Sequence, residues 1–186
     1  MKLFIIFANM AKNITPNIRT LSLPEIEEYF EKTGEKKFRA KQVYEWLWLK
    51  PVQSFEGMTN ISKELRQKLA AAFILPGLAV DTVQHSEDGT YKTRFKTHDG
   101  HFVEGVLIPT TSRFTACVSS QIGCSLSCKF CATGYMDRKR NLDFDEIYDQ
   151  VAILNRQCEK ENSKKLSNIV FMGMGEPLLN YKNVLR

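Results

Sequence analysis

The chain has 186 residues and a net charge of +5, with 43% hydrophobic and 25% charged residues. This composition is ordinary for a globular protein with a sizeable core, and it excludes a low-complexity chain. The positive charge favours a polyanionic partner without requiring one.

The N-terminal residues imitate a signal sequence, since Lys2 precedes the apolar run Leu3-Phe4-Ile5-Ile6-Phe7-Ala8. The run ends at Asn9 and is too short for a secretory segment or a membrane span. We therefore expect residues 1–20 to form a poorly ordered extension. We also expect the protein to be cytoplasmic, with no membrane partner.

Three helices are predicted after this extension. Ser22 is a typical N-cap for the first helix. A second helix covers residues 39–49 and ends at Pro51. A third begins at Asn60 or Ser62 and carries an apolar stripe of the kind that usually packs in a core.

These helices predict a separate helical domain over residues 21–76. Its charges are mostly positive, and the basic residues considered are Lys32, Lys36, Lys37, Arg39, Lys41, Lys63, Arg66 and Lys68. A solvated surface is the simple explanation of these charges. The alternative is a surface that contacts phosphates, which would make this an RNA-binding accessory domain.

The hydrophobic period then changes to two, which predicts a small antiparallel β connector over residues 77–112. Its three strands are expected at residues 79–86, 91–97 and 101–108. In the middle strand Lys92, Arg94 and Lys96 point to one face, which is a modest signal for nucleic-acid binding.

Residues 113–186 have the pattern strand, helix, strand. We expect strands at 114–120 and 167–172 and a helix at 142–159. A crossover of this length joins parallel strands. The loops that follow the two strands then lie at their carboxyl ends, where folds of this kind place their active sites.

The loop after the first of these strands carries Cys124, Cys128 and Cys131, spaced as C-x3-C-x2-C. Three thiols so close together suit an iron–sulfur cluster, whose irons prefer soft sulfur ligands. With three protein ligands, a four-iron cluster keeps one iron open for another ligand. A zinc site and a disulfide framework are the alternatives, but no His follows Cys131 and the cysteine count of 5 is odd.

The second loop reads Gly173-Met174-Gly175-Glu176-Pro177. It could be a simple turn. Its glycines would also allow the backbone to approach a ligand closely, and Glu176 could bind an ammonium group.

Together these motifs resemble the dual-specificity RNA adenine-C2 methyltransferases of the radical S-adenosylmethionine (SAM) superfamily. The resemblance rests on C-x3-C-x2-C with Phe130 before the last Cys, on residues 117–124 and 173–180, and on Met58-Thr59-Asn60-Ile61-Ser62-Lys63. It extends from about residue 21 onward. That family methylates an adenosine of 23S ribosomal RNA and one in certain transfer RNAs, using a [4Fe-4S] cluster and S-adenosylmethionine.

The resemblance also implies roles for individual residues. The three loop cysteines would bind the cluster, and Gly175 and Glu176 would contact SAM. Cys117 would release the methylated product by forming a disulfide, although it could be simply a buried strand thiol. Glu104 would accept the C2 proton. Burial in its apolar strand would raise the pKa of this carboxyl, although strand alternation also permits a solvent-facing position.

The fold class implied is α/β, with a small helical domain, a short β connector and the start of a partial (β/α) radical SAM barrel. The family's methyl-carrying cysteine lies near the C-terminus of a longer chain, so we expect an N-terminal portion that lacks it and is inactive alone. Cys158 matches no family role. An electron donor such as flavodoxin or ferredoxin and a monomeric state are also expected. A C8-adenosine methyltransferase of the antibiotic-resistance type and a catalytically silent RNA-binding fragment remain as alternatives.

Overall fold

Helices and strands occupy separate parts of the chain in the computed structural model, which describes residues 15–50, 52 and 54–186. The chain divides after Pro76 into a helical unit and a second unit, Gly77–Arg186, that contains the sheet. None of the helices in the described ranges is long and apolar enough to cross a membrane.

The helical unit contains three α-helices: α1 (Leu23–Lys32), α2 (Lys37–Trp48) and α3 (Lys63–Ala72). Ser22 caps α1 in a reciprocal capping box, in which its backbone N–H donates to Glu25 Oε2 at 2.7 Å. Ser62 caps α3, since its hydroxyl accepts a hydrogen bond from the Leu65 N–H at 3.3 Å. Of the two predicted starts of this helix, Ser62 is therefore the one observed.

Two boundary predictions need comment. The sequence ends the second helix at Pro51, which lies outside the described residues, and α2 itself ends at Trp48. Residues 1–14 of the predicted extension also lie outside the described residues. The rest of the extension belongs to the helical unit, because Ile18 is fully buried and its N–H donates to the Ile74 carbonyl at 3.1 Å.

In the part of the chain that the structure describes, the second unit contains a sheet of five strands. The strands are β1 (Ala79–His85), β2 (Tyr91–Lys96), β3 (Phe102–Pro109), β4 (Phe114–Cys117) and β7 (Asn168–Val170). They lie side by side in the order β1-β2-β3-β4-β7. The strands β1 to β4 are antiparallel neighbours, whereas β4 and β7 are parallel. Two further short strands, β5 (Gln121–Ile122) and β6 (Arg140–Asn141), pair with each other.

The predicted β connector is not separate from the predicted barrel strands. Val106 of β3 pairs with Cys117 of β4, so the ladder continues across the expected boundary at residue 112. A tight turn makes this possible, since the Thr110 N–H donates to the Arg113 carbonyl at 2.9 Å. Residues 77–186 therefore share one sheet.

One face of this sheet is covered by α4 (Phe144–Asn162), the crossover helix between β4 and β7. The buried side chains of Phe95, Val103 and Leu107 form a single core with Leu154 and Cys158 of the helix. Burial of this apolar area is the main source of stability for the unit. Cys158 is fully buried in this core. The short helix α5 (Tyr181–Val184) follows β7.

The strand β4 ends three residues earlier than the sequence predicts, because α4 replaces the strand ladder with side-chain hydrogen bonds. The buried Gln150 side chain accepts from the Ser119 N–H at 2.8 Å and donates to the Ser119 carbonyl at 3.0 Å. Both backbone groups of a buried, irregular residue are thereby satisfied.

The substitution Gln150→Leu should therefore lower the free energy of unfolding by about 2–4 kcal/mol, because it leaves the buried N–H and C=O of Ser119 without partners. Urea denaturation followed by circular dichroism measures this change. Gln84→Leu is the control, since Gln84 is exposed on β1; it should change stability by less than about 0.5 kcal/mol. Equal effects of the two substitutions would contradict this account of Ser119.

Candidate active site

Two loops meet beyond the carboxyl ends of the parallel strands β4 and β7. The Gly173 N–H donates to the Val118 carbonyl at 3.1 Å, and the Ser120 N–H donates to the Met174 carbonyl at 2.9 Å. The Met174 N–H also donates to Ser119 Oγ at 2.8 Å. The segment that leads to the cysteine loop is thus hydrogen-bonded along its length to the glycine-rich loop.

Gln121 joins the same two loops through its side chain. It is fully buried, accepts a hydrogen bond from the Glu176 N–H at 2.9 Å and donates one to Asn141 Oδ1 at 2.7 Å. Gly175 packs against it with φ +92°, and a Cβ atom on Gly175 would lie only 2.4 Å from the Gln121 Cβ. Glycine is therefore required at 175 on both conformational and steric grounds.

The sequence predicted no role for Gln121, although this residue belongs to the motif over residues 117–124. A second amide was missed in the same way. The buried Asn180 donates through Nδ2 to the Ser120 and Leu142 carbonyls, both at 2.8 Å. The available signal was that each of these amides lies in a stretch that had to be buried. Buried amides are almost always hydrogen-bonded to a specific partner.

The Glu176 carboxylate is partly engaged within its own loop. Its Oε1 accepts a hydrogen bond from the Leu178 N–H at 3.0 Å and caps the short turn Pro177–Asn180. The residue is half-buried, so the carboxylate remains open to a ligand.

The cysteine loop carries three partly exposed thiols at Cys124, Cys128 and Cys131. The Cys131 N–H donates to the Cys128 carbonyl at 3.1 Å, which forms a tight turn. Gly134 packs against this turn so closely that a Cβ atom there would lie 2.5 Å from the Cys128 carbonyl oxygen. A glycine is therefore required at position 134 beside the cysteine loop, as one is required at position 175 in the glycine-rich loop.

The donor set fits a cluster that prefers thiolate ligands. All five cysteines lie in the described part of the chain and none is in a disulfide, so the three loop thiols are chemically available. In the present arrangement, no group of three or more His, Cys, Asp or Glu side chains within residues 15–50, 52 and 54–186 is gathered for a metal ion.

Large apolar side chains surround these loops and are open to solvent. Phe130 is 93% exposed, Met172 is 80% exposed and Tyr135 is 77% exposed. Such a concentration of exposed apolar groups indicates a surface that binds something.

The strand register places Glu104 and Cys117 on one face of the sheet, opposite the face that α4 covers. Cys117 pairs directly with Val106, and Glu104 lies two residues from Val106 along β3. Diagonal neighbours of this kind are separated by roughly 7–8 Å, which longer side chains can bridge. Because β3 runs antiparallel to β4, Glu104 lies on the side of Cys117 from which the chain continues to the cysteine loop.

The expected burial of Glu104 is not found. Its side chain is 43% exposed, and its Oε1 lies 3.1 Å from the Lys92 Nζ. The solvent-facing position that strand alternation permitted is the one observed, because the apolar side chains of β3 point to the α4 face instead.

Cys117 lies at the end of β4 with only 8% of its surface exposed. Burial raises the pKa of this thiol, while a hydrogen bond with the Met172 backbone opposes the rise. The thiol is therefore neutral near pH 7, and a reaction that uses its sulfur would have to remove its proton.

The basic residues of β2 are exposed on the same face as Glu104, as the alternation predicted. Two of them already have acidic partners in this structure. Lys92 pairs with Glu104, and Arg94 Nε donates to Asp81 Oδ2 at 2.6 Å. The positive charge of this stripe is thus partly neutralised, which weakens the signal for nucleic-acid binding.

A charged network anchors the strand that flanks the cysteine loop. Arg140 of β6 binds Asp99, in the turn between β2 and β3, with Nε–Oδ2 at 2.7 Å. It also binds Glu146 of α4 with Nη1–Oε2 at 2.7 Å. The guanidinium hydrogen bonds hold the pKa of Asp99 well below its usual value, and the two carboxylates raise the pKa of Arg140.

Comparison with known proteins identifies the class to which this arrangement belongs. Residues 16–75 match the model of the family described as the ribosomal RNA large subunit methyltransferase N-terminal domain. The fold matches the crystal structure of a radical SAM methyltransferase from Sphaerobacter thermophilus, with a TM-score of 0.81 and 38% identity. That match covers 91% of this chain and 50% of the other. The fold is therefore that of a radical SAM methyltransferase.

Individual relatives narrow the class. The chain is 58% identical to the probable dual-specificity RNA methyltransferase RlmN of Cytophaga hutchinsonii over 169 residues, which cover 91% of this chain and 46% of the relative. It is 48% identical to the corresponding protein of Chlorobaculum tepidum, covering 91% of this chain and 47% of the relative. Over 91–94% of its length, the chain is therefore similar to one half of the dual-specificity RNA methyltransferases, and it spans about half the length of the curated relatives it matches.

The Asp99–Arg140 contact should make stability depend on pH. The pKa of Asp99 is lowered in the folded state, so its contribution is complete above the unfolded value of about 3.9 and is lost as the pH falls through the lower folded value. Asp99→Asn should therefore be less stable than the parent by about 1–2 kcal/mol at pH 7. Urea unfolding at a series of pH values should show this difference shrinking below about pH 4.

Asp137→Asn is the control, because the Asp137 side chain is 93% exposed and its nearest cation, Lys139 Nζ, lies at 3.9 Å. It should change stability by less than about 0.5 kcal/mol at every pH. A constant difference for Asp99→Asn from pH 7 to pH 3 would contradict the assignment.

Proposed function

We propose that this chain provides part of a radical SAM enzyme that methylates C2 of adenosine in RNA. The observation that carries the proposal is the hydrogen-bonded junction between the cysteine loop and the glycine-rich loop, in a chain so similar to dual-specificity RNA methyltransferases. The junction would place the three thiols of the cysteine loop beside the glycine-rich loop, whose backbone can contact a second ligand.

The residues of the two loops divide the work of cofactor binding. Cys124, Cys128 and Cys131 would hold a [4Fe-4S] cluster, which supplies one-electron reduction of SAM. Gly175 would contact SAM through its backbone, on the side away from Gln121, which occupies the space where a Gly175 Cβ would lie. Glu176 offers a half-buried carboxylate to the SAM ammonium group.

The sheet face supplies the residues that would act on RNA. Glu104 would take the proton from C2 of the adenine, and its exposure leaves it accessible to a substrate on this face. The adjacent Lys92 ammonium, 3.1 Å from Glu104 Oε1, positions this carboxylate on the sheet face. Cys117, as its thiolate, would attack the sulfur that carries the transferred carbon and form a disulfide with it. The carbon–sulfur bond would break, its electron pair would stay with the carbon, and a proton taken up there would complete the methyl group of the released product.

The proposed substrates are 23S ribosomal RNA and transfer RNA, and the basic residues of β2 and of the helical unit would contact their phosphates. We keep the domain roles predicted from the sequence. Residues 21–76 would form the RNA-binding accessory domain, and residues 113–186 would form part of the barrel. An electron donor such as flavodoxin or ferredoxin, a monomeric state and a cytoplasmic location complete the proposal. A C8-adenosine methyltransferase is the closest alternative, since both chemistries would use these loops.

The first experiment tests the cluster. Anaerobically reconstituted protein should contain about four irons per chain. Changing any one of Cys124, Cys128 or Cys131 to Ala should abolish iron retention, because the loop would lose a thiolate ligand. Iron analysis and the electron paramagnetic resonance spectrum, with and without SAM, measure the outcome.

Cys158→Ala is the matched control and should retain its iron, because Cys158 lies on α4, buried in the core between this helix and the sheet. Stoichiometric zinc without iron would overturn the proposal and favour a zinc site. Iron retention without any spectral response to SAM would leave the chain as a catalytically silent fragment.

The second experiment tests Cys117 in a whole-length enzyme that contains this sequence. Cys117→Ala should keep its cluster and still consume SAM, but RNA should remain covalently attached because the releasing thiol is gone. A denaturing gel with labelled RNA would display the trapped species. Normal turnover by Cys117→Ala, or loss of its cluster, would show that Cys117 is only a buried strand thiol.

A further inference from the structure

A cleft lies between the sheet face that carries Glu104 and the cysteine loop. It has a volume of about 390 Å³ and is lined by His101, Phe102, Ile122, Met136, Asp137 and Lys139, with Gly100 and Gly123 at its edges. This volume is within the range of about 300–1,000 Å³ that is usual for small-ligand sites. None of the glycine-rich loop lines it, so the cleft is separate from the proposed SAM contacts.

The cleft adjoins both parts of the proposed active site. Phe102 lies on the same face of β3 as Glu104, two residues away, so their Cα atoms are about 7 Å apart. On the other side, Gly123 directly precedes Cys124, and the Cys124 N–H donates to the Met136 carbonyl at 3.4 Å. A group held in the cleft would therefore lie beside the reacting nucleotide.

The walls of the cleft have the chemistry that single-stranded RNA favours. Phe102 is 41% exposed, and the Arg94 guanidinium lies over its ring at 4.9 Å. Met136 is 48% exposed, which adds a polarisable apolar wall. Arg94 is paired with Asp81 and covers part of the Phe102 ring, so a base would stack on the part that Arg94 leaves open. An exposed aromatic ring with a cation near by, here Lys139 in the wall of the cleft, is a typical platform for an unstacked base beside a phosphate backbone.

We propose that this cleft binds a nucleobase of the RNA next to the reacting adenosine, stacked on Phe102. The inference rests on the proposed function, because it takes RNA as the substrate. It adds a second base contact, which would hold the substrate loop open and fix which adenosine reaches Glu104. The charge of the chain, +5, agrees with a polyanionic occupant better than with an apolar peptide.

The experiment is a double-mutant cycle between protein and RNA. Fluorescein-labelled RNA stem–loops with an adenosine in the loop are compared with versions that carry one abasic nucleotide at each loop position in turn. Affinities of the 186-residue chain are measured by fluorescence anisotropy. Phe102→Ala should bind the intact RNA roughly 5- to 150-fold more weakly, the range expected for loss of one base–aromatic stack.

One abasic position should weaken parent binding by the same factor, and at that position Phe102→Ala should cause no further loss. Phe102→Tyr should restore affinity, because a tyrosine ring stacks equally well. Circular dichroism and thermal unfolding confirm that each variant is folded.

Phe38→Ala is a matched control. Phe38 is 54% exposed on α2 and also has an arginine, Arg39, over its ring at 4.9 Å. Any loss of affinity that it causes should be independent of the abasic position. If the losses from Phe102→Ala and from every abasic substitution simply multiply, or if Phe102→Ala binds RNA as the parent does, the cleft is not a base site. If the parent protein binds no RNA at all, the cleft is not a base site, whereas the proposed function is overturned separately, by stoichiometric zinc without iron.

Discussion

The active-site arrangement depends on the short buried segment Val118–Gln121, which leaves β4 and enters the cysteine loop. A chain that leaves a sheet while still buried must find partners for its backbone N–H and carbonyl groups. Here the Gln150 amide of α4 supplies both partners for Ser119. The glycine-rich loop supplies one partner for Val118, the Gly173 N–H, and one for Ser120, the Met174 carbonyl. The Val118 N–H donates to the Val170 carbonyl of β7, and the Ser120 carbonyl accepts from the Leu142 N–H. The same hydrogen bonds that satisfy the backbone therefore fix one loop against the other.

This dependence explains why glycines are concentrated at the junction. Gly173 approaches the Val118 carbonyl oxygen so closely that a Cβ atom would lie 2.8 Å from it, and Gly175 is similarly close to Gln121. Loops that hydrogen-bond to each other through their backbones leave no space for side chains between them. The contact between the two loops therefore already requires glycine at positions 173 and 175, before any ligand is considered.

The sequence predicted the regular elements well, because caps and hydrophobic periodicity are local signals. The predicted N-cap Ser22 is followed directly by a helix that begins at Leu23, and the helix predicted at residues 142–159 is observed at Phe144–Asn162. It could not show that the sheet continues across the predicted boundary at residue 112, because a strand ladder such as Val106–Cys117 depends on pairing between distant segments. The roles of Gln121, Gln150 and Asn180 were also invisible, because their partners are backbone groups far along the chain. Glu104 shows the same difficulty, since its exposure depends on which face α4 covers.

The two kinds of anchor around the cysteine loop differ in their response to pH. The inner contacts of Gln121, Gln150 and Asn180 involve neutral amides, whose hydrogen bonds do not change with protonation. The outer contact, Arg140 with Asp99 and Glu146, is ionic and weakens when the carboxylates are protonated. Since the inner contacts hold both loops and the outer one holds only the flanking strand β6, acid should loosen the turn between β2 and β3 before it separates the loops.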